Sequence, residues 1–182
     1  GNIWRGRQGL SMDRVRADHM GMLATVINAL AIQDAFISVG IDTVVMSAVE
    51  MNAFCEQYTQ RDAVRALERG KVVVFGCGTG NPFFSTDTGA VLRAAEIGAD
   101  VILMAKNIDG VYTADPHNDP SAEKLSETTY DHILSEHLGV IDMTAASLAM
   151  DNSIPLYIFG LNDPENIYRV AKGERIGTKV VK

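Results

Sequence analysis

A run of glycine, hydroxyl and amide residues at positions 76–87 is the part of this sequence best suited to hold a ligand. Its three glycines, Gly76, Gly78 and Gly80, let the backbone approach a ligand closely and present N–H groups to it. Polar and aromatic side chains that could bond a ribose or a phosphate, or cover a base, are Thr79, Asn81, Phe83, Phe84, Ser85 and Thr86. A glycine-rich turn with Asp87 as the cap of the following helix explains the same composition equally well.

Two familiar phosphate-binding patterns do not fit this run. No Gly-Lys-Ser/Thr follows the glycines, so it is not a P-loop. Pro82 interrupts the position where a dinucleotide-binding fingerprint would begin its helix, so that pattern is excluded as well.

A second polar run, residues 106–116, has a similar character. Tyr112 could flank an adenine, Lys106 could reach a phosphate, and Asp115 could bond a ribose or an amide. Asp109 with Gly110 is a strong turn signal, so an ordinary loop is the alternative.

Three scattered charged residues are further candidates for a role at a ligand site. Arg5 has the planar fork that suits phosphate oxygens, although a solvated surface arginine is common. Asp18 lies in the first turns of a predicted helix, where a carboxylate can simply complement the helix dipole. Asp142 could equally be a helix cap.

Three histidines and the two cysteines give no sign of a metal site. His117, His132 and His137 lack metal-ligand spacing, and we expect them at the surface. Cys55 and Cys77 belong to no CxxC pattern, which favours a reducing cytoplasm.

Strand-like and helix-like segments alternate around these runs. Met20, Leu23, Ile27 and Leu30 recur at helical spacing, with Gly40 as a stop. The predicted helices are 13–38, 59–70, 88–97, 143–150 and 164–172, and the predicted strands are 43–48, 71–76, 100–105, 154–159 and 178–181. The strands 71–76 and 100–105 are almost wholly apolar, as strands buried on both faces are. This order predicts one α/β domain over residues 1–182 with a mostly parallel sheet and ligands at the strands' carboxyl ends.

The bulk composition limits the partners. The 182 residues are 47% hydrophobic and 21% charged with a net charge of −7, which argues against a nucleic-acid partner. The longest unbroken apolar runs, 72–75 and 101–105, are too short to cross a bilayer. We therefore expect neither nucleic acid nor membrane as a partner.

Five segments in order resemble the bacterial uridylate kinases of the amino-acid-kinase fold family. They are Gly-Asn-Ile-Trp-Arg-Gly at 1–6, Asp-His-Met-Gly-Met-Leu-Ala-Thr at 18–25, Gly-Thr-Gly-Asn-Pro-Phe-Phe-Ser-Thr-Asp at 78–87, Asp-Gly-Val-Tyr-Thr-Ala-Asp-Pro at 109–116 and Gly-Glu-Arg-Ile-Gly-Thr at 173–178. The run 78–87 is the most specific of them.

This resemblance implies an αβα sandwich and transfer of the γ-phosphoryl group of ATP to UMP in pyrimidine nucleotide biosynthesis. The residues it implies for UMP are Asp18, Thr79, Gly80, Asn81, Pro82, Phe83, Phe84, Ser85 and Thr86. Those it implies for ATP are Gly1, Arg5, Asn107, Tyr112 and Asp115. Arg5, Asp87 and Asp142 match positions around the reacting phosphates, and the resemblance further implies Mg²⁺, a homohexamer, and GTP and UTP as effectors.

One departure concerns the start of the chain. The family pattern opens with a strand and a Lys-x-Ser-Gly phosphate loop that have no counterpart here, so we expect the domain to lack them and the catalytic lysine to have no number in this sequence. Two alternatives stay open: a kinase of the same fold that phosphorylates a carboxylate, and a uridine-nucleotide sensor without turnover.

Overall fold

The computed structural model describes residues 12–116 and 118–182. Gly1 and Arg5, for which phosphate and ATP contacts are predicted, lie outside the described residues, as does His117. The chain divides into two compact units, one ending at Gly89 and the other formed by Ala90–Lys182.

The first unit holds a three-stranded parallel sheet and its helices. Its elements are α1 (Arg14–Ser38), β1 (Thr43–Ser47), β2 (Glu56–Gln57), α2 (Gln60–Glu68), β3 (Val72–Gly76) and the start of α3 (Thr86–Ile97). The strand order is β2-β1-β3, and both neighbours run parallel to β1.

Local signals set the ends of the first two helices. Asp13 caps α1 by accepting a hydrogen bond from the N–H of Arg16, and Gly40, with a φ of +82°, follows the end of that helix. Thr59 caps α2 by accepting from the N–H of Asp62, as the sequence pattern predicts.

Small residues, not large ones, form the buried face of α1. Ala17, Val26 and Ala29 are buried where the helix packs on β1 and β3. The apolar residues whose spacing predicts the helix lie largely outside that face, and Leu23 and Ile27 are 52% and 69% exposed. Small side chains let the helix approach the sheet closely, and this leaves an apolar strip on its outer surface.

Burial in the sheet follows strand position. β1 is central, and all five of its residues are buried. β3, predicted to be buried on both faces, is an edge strand of this sheet, and Val72–Phe75 are only half-buried. The prediction was wrong because an apolar run does not distinguish a central strand from a lateral one.

The second unit is a mixed α/β structure. Its elements, after the rest of α3, are β4 (Ile102–Lys106), β5 (Val111–Tyr112), β6 (Lys124–Leu125), β7 (Glu127–Thr129), α4 (Tyr130–Ser135), α5 (Met143–Asp151), β8 (Leu156–Gly160), α6 (Glu165–Ala171) and β9 (Thr178–Val181). Its main sheet has the order β4-β8-β9-β7, parallel except between β8 and β9, and β5 pairs with β6 in an antiparallel ribbon.

The predicted elements of this unit are present, with shifted ends. β4 is an edge strand with one exposed side, since Leu103 is 44% exposed while Ile102 and Met104 are buried, so burial on both faces was again a wrong prediction. The ribbon, β7 and α4 were not predicted, because each is too short to show a hydrophobic period. The fold class is nevertheless confirmed: α/β, with mostly parallel strands.

The core of the second unit is continuous and contains one buried phenol. Tyr130 is fully buried among apolar side chains, and its hydroxyl donates to the carbonyl of Ile154 at 2.7 Å. Burial raises the pKa of Tyr130 to about 12. The phenol therefore remains a neutral donor that fixes α4 to the turn before β8.

Among the described residues, α1 is long and apolar enough, by length and composition alone, to cross a membrane. That test is weak evidence, because the core helix of a soluble protein also passes it.

We predict that Gly177→Ala destabilises the protein. A Cβ there would lie 2.0 Å from the carbonyl oxygen of Ile158 and 2.9 Å from its carbonyl carbon, so the backbone must move. Overpacking of this kind costs about 1–3 kcal/mol, and thermal unfolding should show a lower Tm. The matched control is Gly139→Ala, whose Cβ would meet nothing within 4 Å. Equal Tm values for the two variants would contradict the close packing of this segment on β8.

Candidate functional site

A left-handed turn follows β3 and opens the polar run 76–87. Cys77, Gly78 and Gly80 have φ values of +63°, +54° and +81°, and the N–H of Gly80 donates to the carbonyl of Cys77 at 2.8 Å. Two glycines adopt this conformation readily, whereas Cys77 does so at a cost of about 1–2 kcal/mol. Other contacts must therefore hold Cys77 in place.

Thr25 of α1 supplies that support. Its hydroxyl donates to the carbonyl of Met22 at 2.6 Å and accepts the N–H of Cys77 at 2.8 Å. The thiol of Cys77, almost fully buried, also contacts the Met22 carbonyl at 3.7 Å. An unsatisfied buried N–H costs about 1–3 kcal/mol, so the hydrogen bond that the Cys77 N–H donates to Thr25 is large enough to offset the strain at Cys77.

Close packing makes glycine necessary within the turn. A Cβ at Gly80, besides its positive φ, would lie 3.3 Å from the carbonyl oxygen of Ala48. A Cβ at Gly89, in the first turns of α3, would lie 3.1 Å from the Cα of Gly78. The turn therefore packs closely on Ala48, after the end of β1, and on Gly89 at the start of α3.

The residues after the turn form the loop 79–86. Asn81 folds back on Thr79, whose hydroxyl accepts the N–H of Asn81 at 3.2 Å. Phe83 has a φ of +74°, a strained value for a large side chain. Its N–H donates to Oδ2 of Asp18 at 2.8 Å, so the carboxylate predicted to contact a ligand also fixes the loop.

Arg14 completes this contact between α1 and the loop. Its Nε donates to the same Oδ2 of Asp18 at 2.9 Å, and its guanidinium carbon lies 5.1 Å from the centre of the Phe83 ring. One carboxylate oxygen therefore joins a cation and a backbone N–H, and the cation covers one face of the aromatic ring.

Both aromatic rings of the loop are open to solvent. Phe83 is 62% exposed and Phe84 51% exposed. Apolar rings held outward by a fixed backbone can cover a planar ligand without first being ordered.

Ser85, rather than Asp87, caps α3. The Ser85 hydroxyl accepts the N–H of Thr88 at 3.1 Å, so the alternative in which Asp87 is the cap was wrong. Asp87 lies half-buried in the first helical turn, where a negative charge complements the helix dipole.

The loop 106–116 of the second unit is organised around Asp109. Its Oδ1 accepts the hydroxyl of Tyr112 at 2.8 Å, and its Oδ2 accepts Nζ of Lys124 at 2.9 Å. Burial acts to raise the pKa of Asp109, but the hydrogen bonds and the charge of Lys124 outweigh it and leave that pKa below its usual range. The hydrogen bond to this anion raises the pKa of Tyr112.

The other predicted residues of this loop are placed less tightly. Asn107 is exposed and Lys106 half-buried at the end of β4. Asp115 is exposed and forms a turn, since its carbonyl accepts the N–H groups of Asn118 and Asp119 and its carboxylate accepts the Asn118 amide. Tyr112 keeps a half-exposed ring whose hydroxyl is anchored.

Asp142 is the N-cap of α5. Its carboxylate accepts the N–H of Ala145 at 3.0 Å, which is the cap alternative that the sequence left open. Capping does not by itself exclude a second role for Asp142.

The described residues contain no group of three or more His, Cys, Asp or Glu side chains placed to hold a metal ion. His132 and His137 are exposed, as predicted. Both cysteines are free thiols; Cys77 is buried and Cys55 half-buried. Burial, with the neighbouring Cys77, raises the pKa of Cys55.

A separate concavity of about 580 Å³ lies in the first unit and contains none of the predicted site residues. It is lined by Gln33, Val44, Val45, Asn52, Ala53, Phe54, Cys55, Glu56 and Gln57. This described lining supplies amides and a carboxylate but no lysine or arginine for a phosphate.

Four residues that organise the two loops were missed in the sequence: Arg14, Thr25, Asp109 and Lys124. Thr25 and Asp109 both lie within segments that resemble the family, but Thr25 was given no role and Asp109 was interpreted as a turn former. Arg14 had a local signal, because it stands four residues before Asp18 on the same helix. Lys124 had none, since its contacts span 15 and 52 residues of sequence.

Comparisons with known proteins identify the family of this chain. Residues 4–160 match the model of the Amino acid kinase family. Among solved structures, UMP kinase from Bacillus anthracis is 37% identical with a TM-score of 0.93, and the match covers 100% of this chain and 76% of that one. UMP kinase from Ureaplasma parvum is 39% identical with a TM-score of 0.94, over 100% and 79% of the two chains. Uridylate kinase from Archaeoglobus fulgidus is 32% identical with a TM-score of 0.73, over 97% and 77%. The chain belongs to the amino acid kinase family and has its fold.

Proposed function

We propose that this protein is a UMP kinase, which transfers the γ-phosphoryl group of ATP to UMP to give UDP and ADP. The strongest support is that two solved UMP kinases match the whole chain at 37% and 39% identity. The loop 79–86 adds a physical reason, because its backbone is held in one conformation while its aromatic rings are left open.

The first unit binds the acceptor in this proposal. Asp18, Thr79 and Asn81 offer oxygens and an amide to the ribose and the uracil edge, and the outward rings of Phe83 and Phe84 cover the base. Gly80, Pro82, Ser85 and Thr86 complete the proposed UMP set. The Asp18 carboxylate, which accepts hydrogen bonds from Arg14 and from the N–H of Phe83, is the group on α1 that we assign to UMP.

The second unit binds the donor. Asn107, Tyr112 and Asp115 contact ATP, together with Gly1 and Arg5, which lie outside the described residues. Tyr112 suits the adenine, because its ring is half-exposed and its hydroxyl is already bonded.

The chemistry needs no general base. The second pKa of a phosphate monoester is about 6, so the attacking oxygen of UMP is ionised at neutral pH. Phosphoryl transfer then requires positioning and neutralisation of charge. We assign neutralisation to Arg5 and to the N–H groups of the loops, and orientation of cations around the phosphates to Asp87 and Asp142.

Mg²⁺ is the cation that we propose as a partner of ATP. Mg²⁺ in kinases is held largely by nucleotide phosphates, water and one or two carboxylates, so a dedicated cluster is not required. Asp87 in the first unit and Asp142 in the second are each a candidate for such a carboxylate. When bound, the ion neutralises charge on the phosphates.

Self-association and regulation complete the proposal. The apolar strip on the outer surface of α1, with Leu23 and Ile27, is a surface that a second copy could cover, which supports self-association. The homohexamer that we propose rests on the resemblance alone. GTP and UTP are the effectors we propose, and the cytoplasm is the compartment. Light scattering in solution measures the oligomer directly.

A coupled assay of ADP release tests the activity. UMP should support turnover, whereas glutamate and aspartate, the acceptors of a carboxylate kinase, should not. Turnover with either amino acid would favour the carboxylate alternative. UMP binding without turnover would favour the sensor.

We predict that Asp18→Asn weakens UMP binding and leaves ATP binding nearly unchanged. Loss of a charged hydrogen-bond partner costs about 1.5–3 kcal/mol, roughly ten- to a hundredfold in affinity. Titration calorimetry with each nucleotide measures both. Asp13→Asn is the matched control, because Asp13 caps the same helix and asparagine caps equally well. Unchanged UMP affinity in Asp18→Asn would remove Asp18 from the acceptor site.

A further inference from the structure

One lysine connects the loop 106–116 to the segment that precedes β9. Nζ of Lys124 donates to Oδ2 of Asp109 at 2.9 Å and to the carbonyl of Ile176 at 2.9 Å. Lys124 is also the cross-strand partner of Tyr112 in the β5–β6 ribbon. The segment 173–178 is one of the five that resemble the family, and the proposed function gives it no role. Lys124 connects it to the proposed donor loop.

Asp109 carries the connection from the lysine to the tyrosine. One carboxylate oxygen accepts Lys124 and the other accepts the Tyr112 hydroxyl at 2.8 Å. The lowered pKa of Asp109 agrees with a carboxylate that stays charged, and the raised pKa of Tyr112 with a phenol that stays a donor.

Backbone packing gives this loop little freedom to rearrange. The N–H of Val111 donates to the Thr178 hydroxyl at 2.8 Å. A Cβ at Gly110 would lie 2.7 Å from that hydroxyl, and a Cβ at Gly160 would lie 3.0 Å from the Cβ of Asp109. Asp109 therefore packs closely on Gly160, and the start of β5 packs closely on Thr178.

The Tyr112 side chain is consequently held at both ends. Its backbone lies in the ribbon and its hydroxyl is bound to Asp109, while its ring stays half-exposed. An aromatic ring fixed in this way does not lose rotational freedom when a base stacks on it.

We propose that Asp109 and Lys124 are positioning residues that fix the ring of Tyr112 for the base of the donor nucleotide. This inference rests on the proposed function, in which Tyr112 contacts ATP. Lys124 holds Asp109, Asp109 holds the phenol, and the Ile176 carbonyl fixes the lysine.

If Lys124 and Asp109 served only the stability of the fold, their removal would lower the Tm. The Lys124 and Asp109 side chains are 32% and 48% exposed, and exposed ion pairs contribute little to stability. Their removal should therefore weaken ATP binding with little change in Tm.

The test is titration of the full chain with ATP alone, without UMP, followed by titration with UMP. Tyr112→Ala should weaken ATP binding about tenfold or more, the usual effect of losing a stacked base. Tyr112→Phe, Asp109→Asn and Lys124→Met should each weaken it about three- to tenfold, the cost of ordering one side chain. UMP affinity should not change in any variant.

Lys179→Met is the matched control for charge. Lys179 lies in the same unit and pairs with Glu127 at 3.4 Å, with both side chains about half exposed. It should leave ATP binding unchanged, and its Tm should be close to that of Lys124→Met.

A spectroscopic titration tests the contact between Asp109 and Tyr112 independently. Asp109→Asn should lower the pKa of Tyr112, because it removes the charged acceptor of the phenol's hydrogen bond. The absorbance of tyrosinate measures this pKa, and the difference from Tyr112→Phe identifies the signal of Tyr112.

The outcomes separate the two proposals. If Tyr112→Ala leaves ATP binding intact, the donor assignment in the proposed function is wrong. If Tyr112→Ala weakens binding but Tyr112→Phe, Asp109→Asn and Lys124→Met do not, the donor assignment stands and the positioning role is overturned. An equal loss in Lys179→Met would also overturn it, since net charge would then explain the effect.

Discussion

The hydrogen bond from the N–H of Cys77 to the hydroxyl of Thr25 is the contact on which the first unit's loop depends. β3 ends at Gly76, and the chain must turn at once through a left-handed conformation that Cys77 adopts only at a cost. Thr25 can accept this N–H because its own proton is committed to the Met22 carbonyl. A single threonine within α1 thereby fixes the direction in which the following residues leave the sheet.

The same helix fixes the loop again, through residues that lie seven and eleven positions before Thr25. Asp18 and Arg14 hold Phe83, a second residue with positive φ, through its N–H and its ring. α1 is therefore more than a cover for the sheet: its polar residues on two successive stretches determine the backbone of the loop 79–86. In the second unit the corresponding role falls to a charged contact, in which Asp109 joins Tyr112 and Lys124. In both cases a carboxylate uses its ability to accept more than one bond to fix an aromatic residue.

The sequence predicted the elements with strong periodicity or clear caps, and the loops that follow β3 and β4. The Thr59 cap, the Gly40 stop and the strand Thr178–Val181 were all found as predicted. The side of α1 that is buried could not be predicted, because alanines at 17 and 29 carry less hydrophobic signal than the leucines and isoleucines left outside. The two edge strands were misjudged for a related reason, since an apolar sequence does not show how many neighbours a strand has. The role of Lys124 could not be predicted, because its position beside Tyr112 and Asp109 depends on the pairing of β5 with β6. The resemblance in five short segments was the stronger guide to the family, and the match over residues 4–160 confirms it.

The central claim is that α1 sets the loop 79–86 in the conformation that binds UMP. Titration calorimetry of UMP against Thr25→Val and Thr25→Ser tests it most directly, because Thr25 has no proposed contact with the nucleotide. Valine keeps the shape but leaves the N–H of Cys77 without its acceptor, at a cost of about 1–3 kcal/mol, whereas serine keeps the hydroxyl. The account predicts UMP affinity about tenfold weaker for Thr25→Val and close to that of the unsubstituted protein for Thr25→Ser. Equal UMP affinity in all three proteins would contradict it.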